Sequence, residues 1–146
     1  MLSPKVRLFR KPIKLAVLII YWYYGSLAKL IYGAFLPYKA KIGFRINFVH
    51  SLHGVFISQA AVIGDDCTIL HHVTIGSDVP LSEKGIVGAA PVIGNRVFIG
   101  CNASIIGKSD IGDGVRIGAG VTIANKKICS NSTVVNGSVR VIVRDE

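Results

Sequence analysis

The sequence predicts an all-β protein wound as a parallel β-helix, with a short helical segment in front of it. Three regularities carry this. Ten isoleucines stand six residues apart: Ile57, Ile63, Ile69 and Ile75, then Ile93, Ile99, Ile105, Ile111, Ile117 and Ile123. A glycine follows six of them directly, as at Gly64, Gly94 and Gly100, and a small or β-branched residue stands four places after, as at Ala61, Cys67, Val73, Val97, Ala103, Ser109, Val115 and Val121. A period of six fits neither a helix (3.6) nor an alternating strand (2). It fits a solenoid in which each hexapeptide is one short strand plus a corner and three hexapeptides make a triangular coil. The interval from Ile75 to Ile93 is three periods, and Leu81 and Val87 fall in register within it.

At 146 residues the chain has room for one principal core. It divides at about residue 36 into a basic, apolar segment (1–36) and the β-helix (37–146), interrupted by a loop at about 77–91. The charge divides in nearly the same place. No Asp or Glu precedes Asp65, while nine Lys and Arg do, so the net +9 resides ahead of Asp65 and the β-helix beyond it is neutral.

Within the first segment, Leu15 to Ala28 is uncharged, preceded by Lys5, Arg7, Arg10, Lys11 and Lys14. A membrane-spanning helix needs about 20 apolar residues, and Lys29 interrupts this run at fourteen. A signal peptide shares the basic start and apolar middle, but no convincing small-residue cleavage site follows. The pattern points to an interfacial helix on an anionic membrane surface, with Trp22 and the tyrosines at headgroup level, or to a helix that caps the open end of the β-helix. A basic arm could also meet nucleic acid, but no RNA- or DNA-binding motif accompanies it, and no nucleic-acid partner is expected.

Along the coils, Cys67 falls in the inward column as a core filler. The three cysteines match no metal spacing and fit a reducing, cytoplasmic compartment, with at most a peripheral position on the inner membrane face. Asp65, Asp66 and Asp113 fall at corners, where turn residues are common. The chemistry concentrates in four histidines, His50, His53, His71 and His72. A neutral imidazole is the first choice to take a proton from a hydroxyl. Surface exposure on a coil is the competing reading, about even for His72.

The stretches Lys41-Ile42-Gly43, His50-Ser51-Leu52, Gly54-Val55-Phe56-Ile57, Ala61 to Asp66 and Thr68 to Gly76, continued by Ile99-Gly100-Cys101-Asn102-Ala103 and Ile117-Gly118-Ala119-Gly120, resemble the left-handed β-helix acyltransferases, in particular serine acetyltransferases and their sugar or polysaccharide O-acetyltransferase relatives. The resemblance covers roughly residues 37–144. It implies a left-handed coil, homotrimers with a cleft between neighbouring subunits, acetyl-CoA as co-substrate without a metal, and a histidine general base. Counted forward from Lys41-Ile42-Gly43, the family's base falls on His50. Counted backward from Ile57 it falls on Ser51, which makes His53 a rival. His53 also precedes His71 by eighteen residues, one coil, so those two are expected to stack. The resemblance further implies Gly76, Ser77, Cys101, Ala103, Ala119 and Arg140 beside the cofactor, and His71 and His72 beside the acceptor.

Two departures bear on that acceptor. Where serine acetyltransferases carry an acidic residue and a histidine, this chain has Phe35-Leu36-Pro37. Where they carry a basic residue, His and Pro in the loop, it has Ala89-Ala90-Pro91. Serine's two charges would lose their partners, an unfavourable change in a buried site. The sequence therefore favours a sugar or polysaccharide-precursor hydroxyl, with serine as the alternative. A zinc-binding carbonic anhydrase of the same fold, using the histidines, and a non-catalytic scaffold are the rivals from other classes.

Overall fold

The structure, a computed structural model, describes residues 4–78 and 88–137, with side chains from residue 14 onward. It opens with a helix, α1 (Pro4–Tyr32). Gly33 ends it with φ 59, a conformation open to glycine. The Gly33 N–H donates to the Lys29 carbonyl at 3.1 Å and the Ala34 N–H reaches back to the Ala28 carbonyl at 3.4 Å. A left-handed residue with a six-to-one bond is a common helix terminator. Immediately beyond, Phe35 bridges Phe56 in parallel, so the first coil begins as soon as the helix stops.

The rest is a left-handed parallel β-helix of short strands: β1 (Lys41–Ile42), β2 (Asn47–Phe48), β3 (Phe56–Ile57), β4 (Val62–Ile63), β5 (Thr68–Ile69), β6 (Thr74–Gly76), β7 (Val92–Ile93), β8 (Phe98–Ile99), β9 (Ser104–Ile106), β10 (Asp110–Ile111), β11 (Arg116–Ile117), β12 (Thr122–Ala124), β13 (Lys127–Ile128) and β14 (Thr133–Val134). They stack into three parallel sheets, β1-β4-β7-β10-β13, β2-β5-β8-β11-β14 and β3-β6-β9-β12, one on each face of a triangular prism. All ten isoleucines of the repeat are buried inside it. The column four residues on (Ala61, Cys67, Val73, Val97, Ala103, Ser109, Val115, Val121) is buried beside them. Cys67 behaves as the core filler expected, and burial pushes its thiol pKa up.

The interrupted phase has a different meaning from the one its arithmetic implies. Val62 pairs directly with Val92 on the neighbouring coil, so Ile75 and Ile93 are successive positions around one coil. The stretch between them is one corner enlarged by about two hexapeptides. Leu81 and Val87 lie outside the described residues. The first coil is also long: Lys41 pairs with Val62, a wider interval than the one from Phe56 to its partner Thr74. The three extra residues sit in the corner at 49–54.

One corner column is a hydrogen-bond ladder. The Phe44 N–H donates to Asp65 Oδ1 at 2.8 Å, the Asp65 N–H to Asn95 Oδ1 at 2.8 Å, the Asn95 N–H to Asp113 Oδ1 at 2.8 Å, and the Asp113 N–H to Ser130 Oγ at 3.1 Å. Each side chain satisfies the backbone of the coil before it. That assigns Asp65 and Asp113 to the scaffold. The Asn95 N–H, foremost, holds the Asp113 carboxyl below the ordinary range. Glycine is needed where coils touch: a Cβ at Gly100 would lie 2.6 Å from the Ala119 nitrogen.

Candidate active site

The four histidines gather at one corner, between the β2-β5-β8 sheet and the β3-β6-β9 sheet. The enlarged first-coil corner presents His50 and Ser51, both with φ 65. The His50 ring meets the His71 ring of the next coil edge-on, with centroids 5.6 Å apart, and His71 meets His72 at 5.5 Å. His53 does not stack on His71. The extra residues turn its ring away, edge-on to Tyr32 of α1 at 5.0 Å, and His50 takes the place beside His71.

His53 Nδ1 lies 3.1 Å from the His50 carbonyl oxygen. A carbonyl only accepts, so Nδ1 carries the proton. In the neutral ring the lone pair is then on Nε2, and the same bond braces the turn that holds His50 in its left-handed conformation. His72 occupies a corner with φ 56. Gly54 (φ 64) sits beneath it, and a Cβ there would run into the His72 ring. The backbone completes the stack: the His72 N–H donates to the His53 carbonyl at 2.8 Å, the Asn102 N–H to the His71 carbonyl at 3.2 Å, and the Gly120 N–H to the Cys101 carbonyl at 2.8 Å.

One buried side-chain atom in this cluster lacks a partner. His71 Nδ1 is buried and accepts or donates no hydrogen bond. A buried polar nitrogen left so costs about 1–3 kcal/mol. The cost is relieved when a ligand supplies the bond. In chemical terms the corner offers imidazoles for proton transfer and a buried nitrogen for recognition. Among the described residues, no three His, Cys, Asp or Glu side chains converge as a metal-binding group.

The expected cofactor residues divide. Half-buried Cys101 and exposed Ala119 lie on successive coils at the histidine corner. Gly76 and Ser77 lie across the face of the prism, at the far end of β6, so one chain does not bring them to that corner. Ala103 is fully buried in the inward column and its side chain cannot touch a ligand. The sequence places it both in that column and beside the cofactor, and the interior position holds. Arg140 lies outside the described residues. Sequence reading gives no role to three members of the corner, Tyr32, Leu52 and Asn102, though the last two lie within the quoted stretches. Tyr32 is hidden in an apolar helix, and the one hint of it is an offset from His53 equal to that between Lys41 and Val62, the long first coil. Leu52 lines an apolar groove between α1 and the first coil.

A family model for bacterial hexapeptide transferases (six repeats) matches residues 90–125. The serine acetyltransferase of Helicobacter pylori strain J99 is 36% identical over 121 residues, which are 83% of this chain and 67% of that enzyme. That of Mycobacterium tuberculosis is 35% identical over 81% of this chain and 49% of its own length. Among solved structures, serine acetyltransferase from Brucella abortus in complex with coenzyme A superposes with a TM-score of 0.70 at 28% identity, over 93% of this chain and 52% of that one. The Neisseria gonorrhoeae enzyme in complex with serine gives 0.68 at 30% identity, over 84% of this chain and 48% of that one. The chain thus spans two thirds of the Helicobacter relative and about half of the others. With its repeats, coil handedness and histidine corner accounted for, the chain belongs to the hexapeptide-repeat acyltransferases, in the branch that contains the serine acetyltransferases.

Proposed function

We propose that this chain is an acetyl-CoA-dependent O-acetyltransferase acting on a small hydroxyl acceptor at the His50–His53–His71–His72 corner. The observation that carries the reading is that cluster: the rings of His50, His71 and His72 meet at one corner, and His53 braces it through the His50 carbonyl. The coenzyme A complex of the Brucella relative supports the donor.

His50, which the count forward from Lys41-Ile42-Gly43 reaches, acts as the base. It takes the proton of the acceptor hydroxyl as the oxygen attacks the thioester carbonyl. The C–S bond breaks, coenzyme A leaves as its thiol after protonation, and an ester remains. Base catalysis of this kind contributes about 10²–10⁴ in rate. His53 is a positioning residue through its bond to the His50 carbonyl, and His71 Nδ1 binds the acceptor or the thioester oxygen. A neighbouring copy in a trimer closes the cleft and brings a second corner, with Gly76 and Ser77, to the donor.

Serine is the first acceptor to test, because the relatives are named for it. A neutral sugar hydroxyl is the second reading. It is favoured by the corner itself, where the described side chains at 49–54, 70–73, 100–103 and 118–121 include no carboxylate, ammonium or guanidinium.

The test is thiol release from acetyl-CoA with serine and with sugars, on wild type, His50→Ala and His53→Ala. Loss of about 10²-fold or more in kcat for His50→Ala, with a smaller loss for His53→Ala, is expected. The reverse order moves the base to His53, and no turnover with any acceptor overturns the enzyme reading.

A further inference from the structure

Between residues 15 and 24 of α1, side chains around the whole helix stand in the open. Leu15, Leu18, Ile20, Trp22 and Tyr24 are 60%, 61%, 55%, 72% and 64% exposed. Successive residues of a helix advance by about 100°, so ten in a row sample every direction. An ordinary surface helix would bury one stripe and turn polar residues outward. This one has no polar face from Leu15 to Gly25 beyond the hydroxyls of its tyrosines and the nitrogen of Trp22.

The helix is nevertheless held to the first coil. The Tyr21 hydroxyl donates to the Leu36 carbonyl at 3.0 Å, its ring meets Tyr38 edge-on at 5.4 Å, and the Lys29 ammonium lies 5.4 Å from the Phe35 ring. Between helix and coil a groove of about 880 Å³ remains, lined by Leu18, Trp22, Phe35 and Leu52 among others.

We propose that α1 is immersed in an anionic lipid bilayer, with lipid filling the groove beneath it. A second copy of the chain would cover one side of the helix and leave the rest in water, whereas lipid covers every side. The charge agrees. Five basic residues precede the apolar run at 5–14, Lys29, Lys39 and Lys41 follow it, and no acid occurs before Asp65. Basic residues beside an apolar helix are attracted to anionic headgroups. The Tyr21 and Lys29 contacts hold the helix against residues 35–38 of the first coil, and by length and composition Lys14–Tyr32 is apolar enough to cross a bilayer. The inference is independent of the acetyl-transfer reading.

The experiment is flotation of the full chain with phosphatidylcholine vesicles, with and without phosphatidylglycerol. Trp22 is the chain's one tryptophan and serves as a depth probe. The chain should float with the anionic vesicles roughly tenfold or more better than with neutral ones, and lipids brominated on the acyl chain should quench Trp22. Leu18→Glu combined with Ile20→Glu should abolish flotation while the circular dichroism of the β-helix is kept, because neither residue packs in the core. Retention of the chain in the aqueous fraction with both vesicle types overturns the proposal. So does a Trp22 emission unmoved by brominated lipid, or a double variant that floats as before but no longer self-associates in the ultracentrifuge.

Discussion

Gly54 shows how far one atom governs the histidine corner. It adopts φ 64 in the turn that carries His50 and His53, and the His72 ring occupies the space its side chain would need. Gly54→Ala should cost about 1–2 kcal/mol from the left-handed backbone alone, with a further loss from displacing His72. Urea unfolding of Gly54→Ala beside Gly54→Ala/His72→Ala separates the two: the double variant should recover the clash and keep the backbone cost. Equal unfolding midpoints in the single and the double variant would mean that the ring does not rest there. At this scale the sequence is a good guide to which residue types matter and a poor one to which neighbours they have. It identifies all four histidines. It stacks His53 on His71 by counting eighteen, and the mismatch between the forward and backward counts signals one extra residue where the first coil holds three beyond eighteen.

Among the elements, the corner ladder from Phe44 to Ser130 gives the clearest handle on pH. The carboxyl of Asp113 is lowered first by the Asn95 N–H, and that of Asp66 first by its bond to the Arg45 side chain. A lowered carboxylate stabilises the fold at pH above its unfolded value, near 3.8, and that contribution is lost as pH falls through the lower folded value. Asp113→Asn keeps an oxygen for the Asn95 N–H and removes the titration. Thermal unfolding followed from about pH 5 down to about pH 2 should fall less steeply in Asp113→Asn than in wild type, and equal slopes would place the titrating groups elsewhere. By sequence these aspartates read as solvated turn residues. The pattern Asp65, Asn95, Asp113, Ser130 has no constant spacing, because the coils between its members differ in length. The helix is legible as a helix. Its stop is legible too, though the helix ends at Gly33, ahead of the division read at about residue 36, since a left-handed glycine closes the last turn.

For the whole molecule, stability is a stack of layers, each supported by those above and below. Ile105 lies in β9, paired to β6 on one side and β12 on the other, and is fully buried. Ile105→Ala should therefore cost about 2–5 kcal/mol, read as a lower midpoint in denaturant. A loss under about 1 kcal/mol would show that the layers rearrange around the gap. The fold is readable from the sequence at this scale because the isoleucine ladder is written once per strand, and side chains pointing inward have only one period to obey. The acceptor is not, since the repeat specifies the prism and leaves its corners free. That freedom has a measurable extent. The successive steps up one face, from Lys41 to Val62, to Val92, to Asp110 and to Lys127, are all unequal, yet each ends beside an isoleucine delivered to the same interior column. The core registers which layer a residue belongs to and is indifferent to the contour length travelled to reach it. Sequence distance is thus a faithful ruler along the faces and an unreliable one across the corners. A lineage built on this solenoid can lengthen, trim or recharge the places where ligands are met while its interior stays unchanged.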